Sequence, residues 1–154
     1  MSFTLTTPIT GLAQTGFTAP TYTLVSDLSP DNNGKQVAIS ALGGTQTGVT
    51  AHSVSSPFLI NMIRPKVFQS LGKPNLNGLI SKVPVNVFKL ITLKGVTPAV
   101  NQPYQKLQIT TTIAVPAGAD TYDAANIRAA LSAHGGAISQ QAAGLGDTLI
   151  SGIV

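Results

Sequence analysis

Along QKLQITTTIAVP, residues 105 to 116, apolar and polar side chains alternate with a period of two, which predicts a strand. Leu107, Ile109, Thr111, Ile113 and Val115 fall on one face; Tyr104, Lys106, Gln108, Thr110, Thr112 and Ala114 fall on the other. The first set reads as core, the second as a flat polar face with a cation and an aromatic ring. Past PAGAD, residues 116 to 120, the spacing turns helical. Ile127 and Leu131 sit one turn apart, flanked by Ala124 and Ala130, and Ala142, Leu145, Leu149 and Ile153 follow at intervals of three and four. Asp120 or Thr121 is placed to cap the first helix, with Asp123 adding negative charge where the helix dipole favours it. Gly135 and Gly136 predict a weak point or kink between the two helical segments, since glycine costs about 1 kcal/mol relative to alanine inside a helix.

Upstream, short β-prone runs stand between turn signals. FTLTT at 3 to 7, TYTLV at 21 to 25 and KQVAISAL at 35 to 42 are separated by SPDNNG and LGGTQTG, which predicts hairpins or a meander. PFLINMIRPKVF at 57 to 68 and LISKVPVNVFKLITLKG at 79 to 95 are rich enough in β-branched and aromatic residues for strands. Pro65 and Pro84 mark strand ends, edges or bulges, because proline lacks the N–H that a ladder requires. The whole predicts one α+β domain over residues 1–154, mainly β through 120 and helical over 121–154, with helices packed on one face of an antiparallel sheet.

Hydrophobic residues make up 43% of the chain and charged residues only 9%, against about 25% in an ordinary soluble domain. A membrane, a fibre or surface buried between subunits would each account for so few charges. No run reaches the ~18–20 apolar residues of a membrane-spanning helix, and the first 25 residues hold no Lys or Arg for the start of a signal peptide. Burial between copies is the expectation that survives. The chain has no cysteine, which excludes disulfides and thiolate metal sites.

Little here points to a reaction. His52 in VTAHSVSS and His134 in LSAHGGA lie in no catalytic pattern and read as a loop histidine and a helix-end histidine. LGGT at 42 to 45 and GLGDT at 144 to 148 lack the lysine and the strand-to-helix context of a phosphate loop. Asp120 and Asp123, the one close pair of carboxylates at the helix start, are accounted for by capping. Neither an enzyme, a metal, a cofactor nor a small-molecule substrate is expected.

The net charge of +4 is unevenly spread. Arg64, Lys66, Lys82, Lys89, Lys94 and Lys106 fall in an interval that contains no Asp or Glu, and Arg64 and Lys66 share a face if the strand runs through Pro65. With Tyr104, Gln108, Thr110 and Thr112 between them, these residues form a candidate surface for single-stranded RNA: cations for phosphates, a ring for stacking, hydroxyls and amides for base edges. A nonviral RNA-binding module and a self-assembling extracellular β protein are both compatible with this pattern.

The order of these elements resembles the coat proteins of single-stranded RNA bacteriophages of the levivirus type. The resemblance is carried by PFLINMIRP, VNVFKLITLKG, the last strand reaching ITTTIAVPAGAD, and the tail TYDAANIRAALSAHGGAISQQAAGLGDTLISGIV, over residues 57 to 154. It implies an N-terminal β-hairpin, an antiparallel sheet of about five strands and two C-terminal helices. It further implies an interlocked homodimer in which the helices of each copy, with Ile127, Leu131, Leu145 and Leu149, cover the sheet of the other. Dimers would form an icosahedral shell, assembled in the bacterial cytoplasm as part of the virion, with the polar sheet face toward a packaged RNA genome. A hairpin in that RNA is a further expected ligand, giving translational repression. The segment matching the loop that meets its copies at symmetry axes is Gly95, Val96, Thr97, Pro98, Ala99, Val100, Asn101, Gln102 and Pro103.

Overall fold

A computed structural model describes residues 2–154. Six antiparallel strands form one meander: β1 (Ile9–Thr10), β2 (Thr18–Asp27), β3 (Gly34–Thr45), β4 (Phe58–Ile63), β5 (Val85–Val96) and β6 (Gln105–Pro116), each paired with its neighbour in sequence. Three helices follow, α1 (Ala119–Tyr122), α2 (Ala124–Gln140) and α3 (Ala142–Ser151). This is the α+β architecture the alternation and the helical spacing predict. The FTLTT run departs from expectation, because only Ile9 and Thr10 pair with β2. The Thr7 hydroxyl, not its backbone, takes the Leu24 N–H at 3.0 Å, and Pro8 has no N–H to give. β5 likewise starts only after Pro84, whose carbonyl accepts from Ala117 N–H at 2.9 Å.

Directly opposed residues in an antiparallel pair share a face, so the register sorts the side chains. One face carries Leu107, Ile109, Thr111, Ile113 and Val115 of β6 beside Phe88, Leu90 and Thr92 of β5, then Ile60 and Met62 of β4, then Val37 of β3. The other carries Lys106, Gln108, Thr110 and Thr112 beside Lys89, Ile91 and Leu93, then Leu59 and Asn61, then Gln36 and Ala38.

The core lies in the β2–β4 half. Ile39 is 2% exposed, and a polar row seals the same half from the other side. There the Gln36 amide donates to Asp27 Oδ2 at 2.7 Å and to the Leu28 carbonyl at 3.2 Å, while the Asn61 amide donates to Gln36 Oε1 at 3.4 Å and Ser29 Oγ at 3.3 Å. Gly34 makes room for this row, since a Cβ there would sit 2.5 Å from Ser29 Oγ and 2.9 Å from Asn61 Oδ1.

The β6 half has no such seal. Leu107 and Ile109, expected as core, are 43% and 54% exposed. The helices are not packed on their own sheet: every residue of α2 from Arg128 to Gln140 is exposed. The helical arm is held at its two ends instead. At its root Ala117 is buried; at the far end the Gln14 amide donates to the Ala142 carbonyl at 2.8 Å and the Thr15 hydroxyl to Asp147 at 2.9 Å. Gly146 passes directly beneath the Gln14 side chain, where a Cβ would collide with Oε1. Between these ties α2 runs about 25 Å.

Three helix details correct the sequence reading. α2 continues through Gly135 and Gly136, where an added Cβ would meet nothing within 4 Å, and the break falls at Gln141. Neither Asp120 nor Thr121 caps a helix: α1 starts after left-handed Gly118, and Asp123 precedes α2 with its carboxylate accepting from Asn126 Nδ2 at 2.8 Å. His134 lies inside α2, not at its end.

The accessible area shows how unfinished the single chain is. It is 10991 Å², whereas a compact monomer of this mass exposes about 7,300 Å².

Candidate nucleic-acid and assembly interface

The polar candidates divide by face. Lys106, Gln108, Thr110 and Thr112 line one face of β6 because they alternate along it, and Lys89 joins them because it pairs directly with Thr112. Tyr104 stands just before the strand and is 41% exposed. Gln108 Nε2 donates to Thr110 Oγ1 at 3.0 Å, which holds two of these side chains in line along the strand. The result is a polar strip along the edge strand with Lys106 near its start and Lys89 of the neighbouring β5 beside Thr112 at its far end, bordered by Ile91 and Leu93. It suits phosphate contacts through lysine and base contacts through hydroxyl, amide and ring.

Four expected cations lie elsewhere. The strand does not run through Pro65: β4 ends at Ile63, so Arg64 and Lys66 lie beyond it. Arg64 lines a groove with Phe3, Lys35, Met62 and Phe88, on the face opposite Lys106. Lys94 pairs with Leu107 and shares that opposite face. Its ammonium is spent within the chain, donating to the Thr50 carbonyl at 2.7 Å and hydroxyl at 2.9 Å and lying 4.8 Å from the centre of the Phe58 ring. Burial pushes the Lys94 pKa below its ordinary value. Lys82 is on the β4–β5 connection, outside any strand. Reading parity within one strand cannot assign faces across strands; that needs the register.

The candidate symmetry-axis loop is shorter than its sequence span. Gly95 and Val96 belong to β5, and Gly95 packs where a Cβ would stand 2.7 Å from Ser56 Oγ. The turn itself covers Pro98 to Asn101, with Asn101 at φ 62° and Val100 87% exposed.

On the apolar face, Ile113 and Val115 of β6 face Ile127, Ala130, Leu131 and His134 of α2 across an open groove of about 320 Å³. Leu131 is 53% exposed, Leu145 47% and Leu149 71%. The candidate dimer helices thus leave much of their apolar surface open. β6 is also the last strand of the meander, so one of its edges has no strand beside it along twelve residues.

The His52 ring accepts the Phe58 N–H through Nδ1 at 3.1 Å, and the His52 backbone N–H donates to the Ile39 carbonyl at 2.8 Å, so the residue fastens the β3–β4 connection. Among the described residues no three His, Asp or Glu side chains gather to hold a metal ion, and no helix is long and apolar enough to cross a membrane. LGGT lies at the end of β3, not at the start of a helix.

No protein-family model matches the chain, and no curated protein matches it. Among solved structures it is similar to a chain of the virus-like particle of bacteriophage ESE020, with a TM-score of 0.97 and 57% sequence identity over 99% of this chain and 100% of that one.

Proposed function

The chain belongs to the same family of bacteriophage capsid proteins as the subunit of the ESE020 particle, and from that premise we propose that it assembles into an icosahedral shell around single-stranded RNA. The building block is a homodimer. Two copies align their β6 edges into one continuous sheet, and the helical arm of each lies over the apolar β6 face of the other. The pairing sets two polar strips side by side, so that Lys106, Gln108, Thr110 and Thr112 of both copies, with Lys89, form the surface toward RNA. The same surface offers a site for an RNA hairpin and so for translational repression. Assembly takes place in the cytoplasm of the bacterial host, and the protein acts as structure, not as catalyst.

The open edge of β6 carries this reading. A twelve-residue edge strand left unpaired is an invitation to another strand, which solitary proteins blunt with bulges, prolines or charge. Here the edge adjoins an apolar groove and an arm with no cover, and the chain exposes roughly 3,700 Å² more than a compact monomer would. Two copies together would then have about 7,400 Å² to cover, more than the roughly 2,000–5,000 Å² total of an ordinary obligate dimer interface, which leaves surface for contacts between dimers as well.

The test is to express the chain alone, separate the lysate by size, and inspect the fastest fraction by negative-stain microscopy and its 260/280 absorbance ratio. Uniform hollow spheres rich in RNA are expected. A stable RNA-free species of monomer or dimer size would overturn the reading and promote a small RNA-binding module.

A further inference from the structure

The connection between β4 and β5, residues 64–84, is longer than the about 12–15 residues beyond which a loop in a compact domain is usually functional. It is also built. Phe68 packs on Phe88 with ring centres 6.0 Å apart, and Gln69 is held by Asn86 through two bonds of 2.8 and 3.0 Å. Leu71 rests on Gly118, where a Cβ would stand 3.2 Å from its methyl.

The tip is closed on itself. Asn75 Oδ1 accepts from Asn77 N–H and Leu79 N–H, each at 3.0 Å; Asn75 N–H donates to the Leu79 carbonyl at 2.8 Å and Gly78 N–H to the Asn75 carbonyl at 2.9 Å. Gly78 takes φ +77°, which the turn needs. This frame holds Leu76 at 108% exposure and Leu79 at 66%, with Val67 at 68% nearer the base. Single exposed leucines are ordinary; several on one pre-ordered loop are not.

We infer that this loop is a contact between building blocks of the shell, with Leu76 seated against a second copy of the chain. The inference rests on the shell reading and adds a place to it. β5 is twelve residues long, so the 64–84 loop stands about 40 Å from the 97–103 turn at the opposite end of the sheet. A closed shell needs each block to touch neighbours in more than one direction, through unlike surfaces. A turn at one end alone leaves the block free to swing; a second contact at the other end fixes it. Charge favours a like copy as the occupant. The loop holds Arg64, Lys66, Lys73 and Lys82 and no acid, while the five acids of the chain lie at the end of β2, on the turn that follows it and on the helical arm.

The test compares the unaltered chain with Leu76→Asp, with Leu76→Ser in reserve should the aspartate variant not be recovered soluble. Leu76 touches no core, so the variant is expected to fold and to elute at building-block size without forming particles, while the unaltered chain forms them. Particles from the variant at the same yield and the same resistance to heat would overturn the inference and leave the shell reading standing. Absence of particles from the unaltered chain would overturn both.

Discussion

The β2–β4 half of the sheet and the β6 half with its helical arm are made from similar residues and end in opposite states. In the first, Ile39 is buried and Gln36 and Asn61, at 8% exposure each, have their amides bonded to Asp27, Ser29 and one another. In the second, Leu107, Ile109, Leu131 and Leu149 lie open and every residue of α2 from Arg128 to Gln140 is exposed. One half is closed by its own loops; the other is left open. In the proposed dimer, folding of the second half is tied to association, so its stability would depend on concentration where that of the first would not.

The sharpest way to break this contrast is Leu131→Asp. Burying one leucine stabilises by about 1.5–3 kcal/mol, and a two-fold interface counts it twice. The dimer dissociation constant should rise by at least about a hundredfold, read by sedimentation at equilibrium. The β2–β4 half should stay folded, with hydrogen exchange protection retained at Val37 to Ile39. Unchanged dimerisation would mean that α2 is not covered by a partner.

The next test alters the polar strip and leaves the apolar groove intact. Lys89→Ala with Lys106→Ala should leave dimers unchanged while weakening RNA retention. For single strands each lost phosphate contact lowers the slope of log affinity against log salt by about 0.7, so the pair should lower it by roughly 1.4 per chain. The companion variant Arg64→Ala, on the opposite face, should leave that slope alone. Equal effects from both would show that RNA contact does not follow the face.

Much of this was legible in the chain. The alternation in β6 separated Ile113 from Thr112 correctly, because a strand has period two whatever lies beside it. The stripe of Ile127, Leu131, Leu145 and Leu149 named the apolar side of the arm, but a stripe says only that something covers it, not whose sheet does so. Arg64 and Lys94 were misplaced for a different reason: which face a residue takes relative to another strand is decided by turns and pairings that local spacing does not contain. Gln36 and Asn61 gave no signal at all, since their burial depends on the 28–33 turn folding over them. The 64–84 loop was not legible as a unit: its two ends, 64–68 and 79–84, fall in runs that read as strand, and its base is ordered by Asn86, Phe88 and Gly118, distant in sequence.

The smallest expected effect falls on the closed half. The Asp27 carboxylate accepts from the Gln36 amide and from Leu28 N–H, and these bonds hold its pKa below the ordinary 3.8. A group whose folded pKa is depressed binds its proton more readily when unfolded, so its stabilisation is present above about pH 4 and is lost as the pH falls through the lower folded value. Asp31, lowered by Asn33, adds to the same window. Urea midpoints of the unaltered protein should therefore fall between pH 4 and 3, and Asp27→Asn should fall less steeply there while matching its own neutral value. Because Asp27 is solvent-facing the difference will be small, and the comparison must be made on dimers at fixed concentration. If Asp27→Asn instead changes the dimer constant and leaves the acid slope alone, the polar row belongs to the interface and the two halves are not independent.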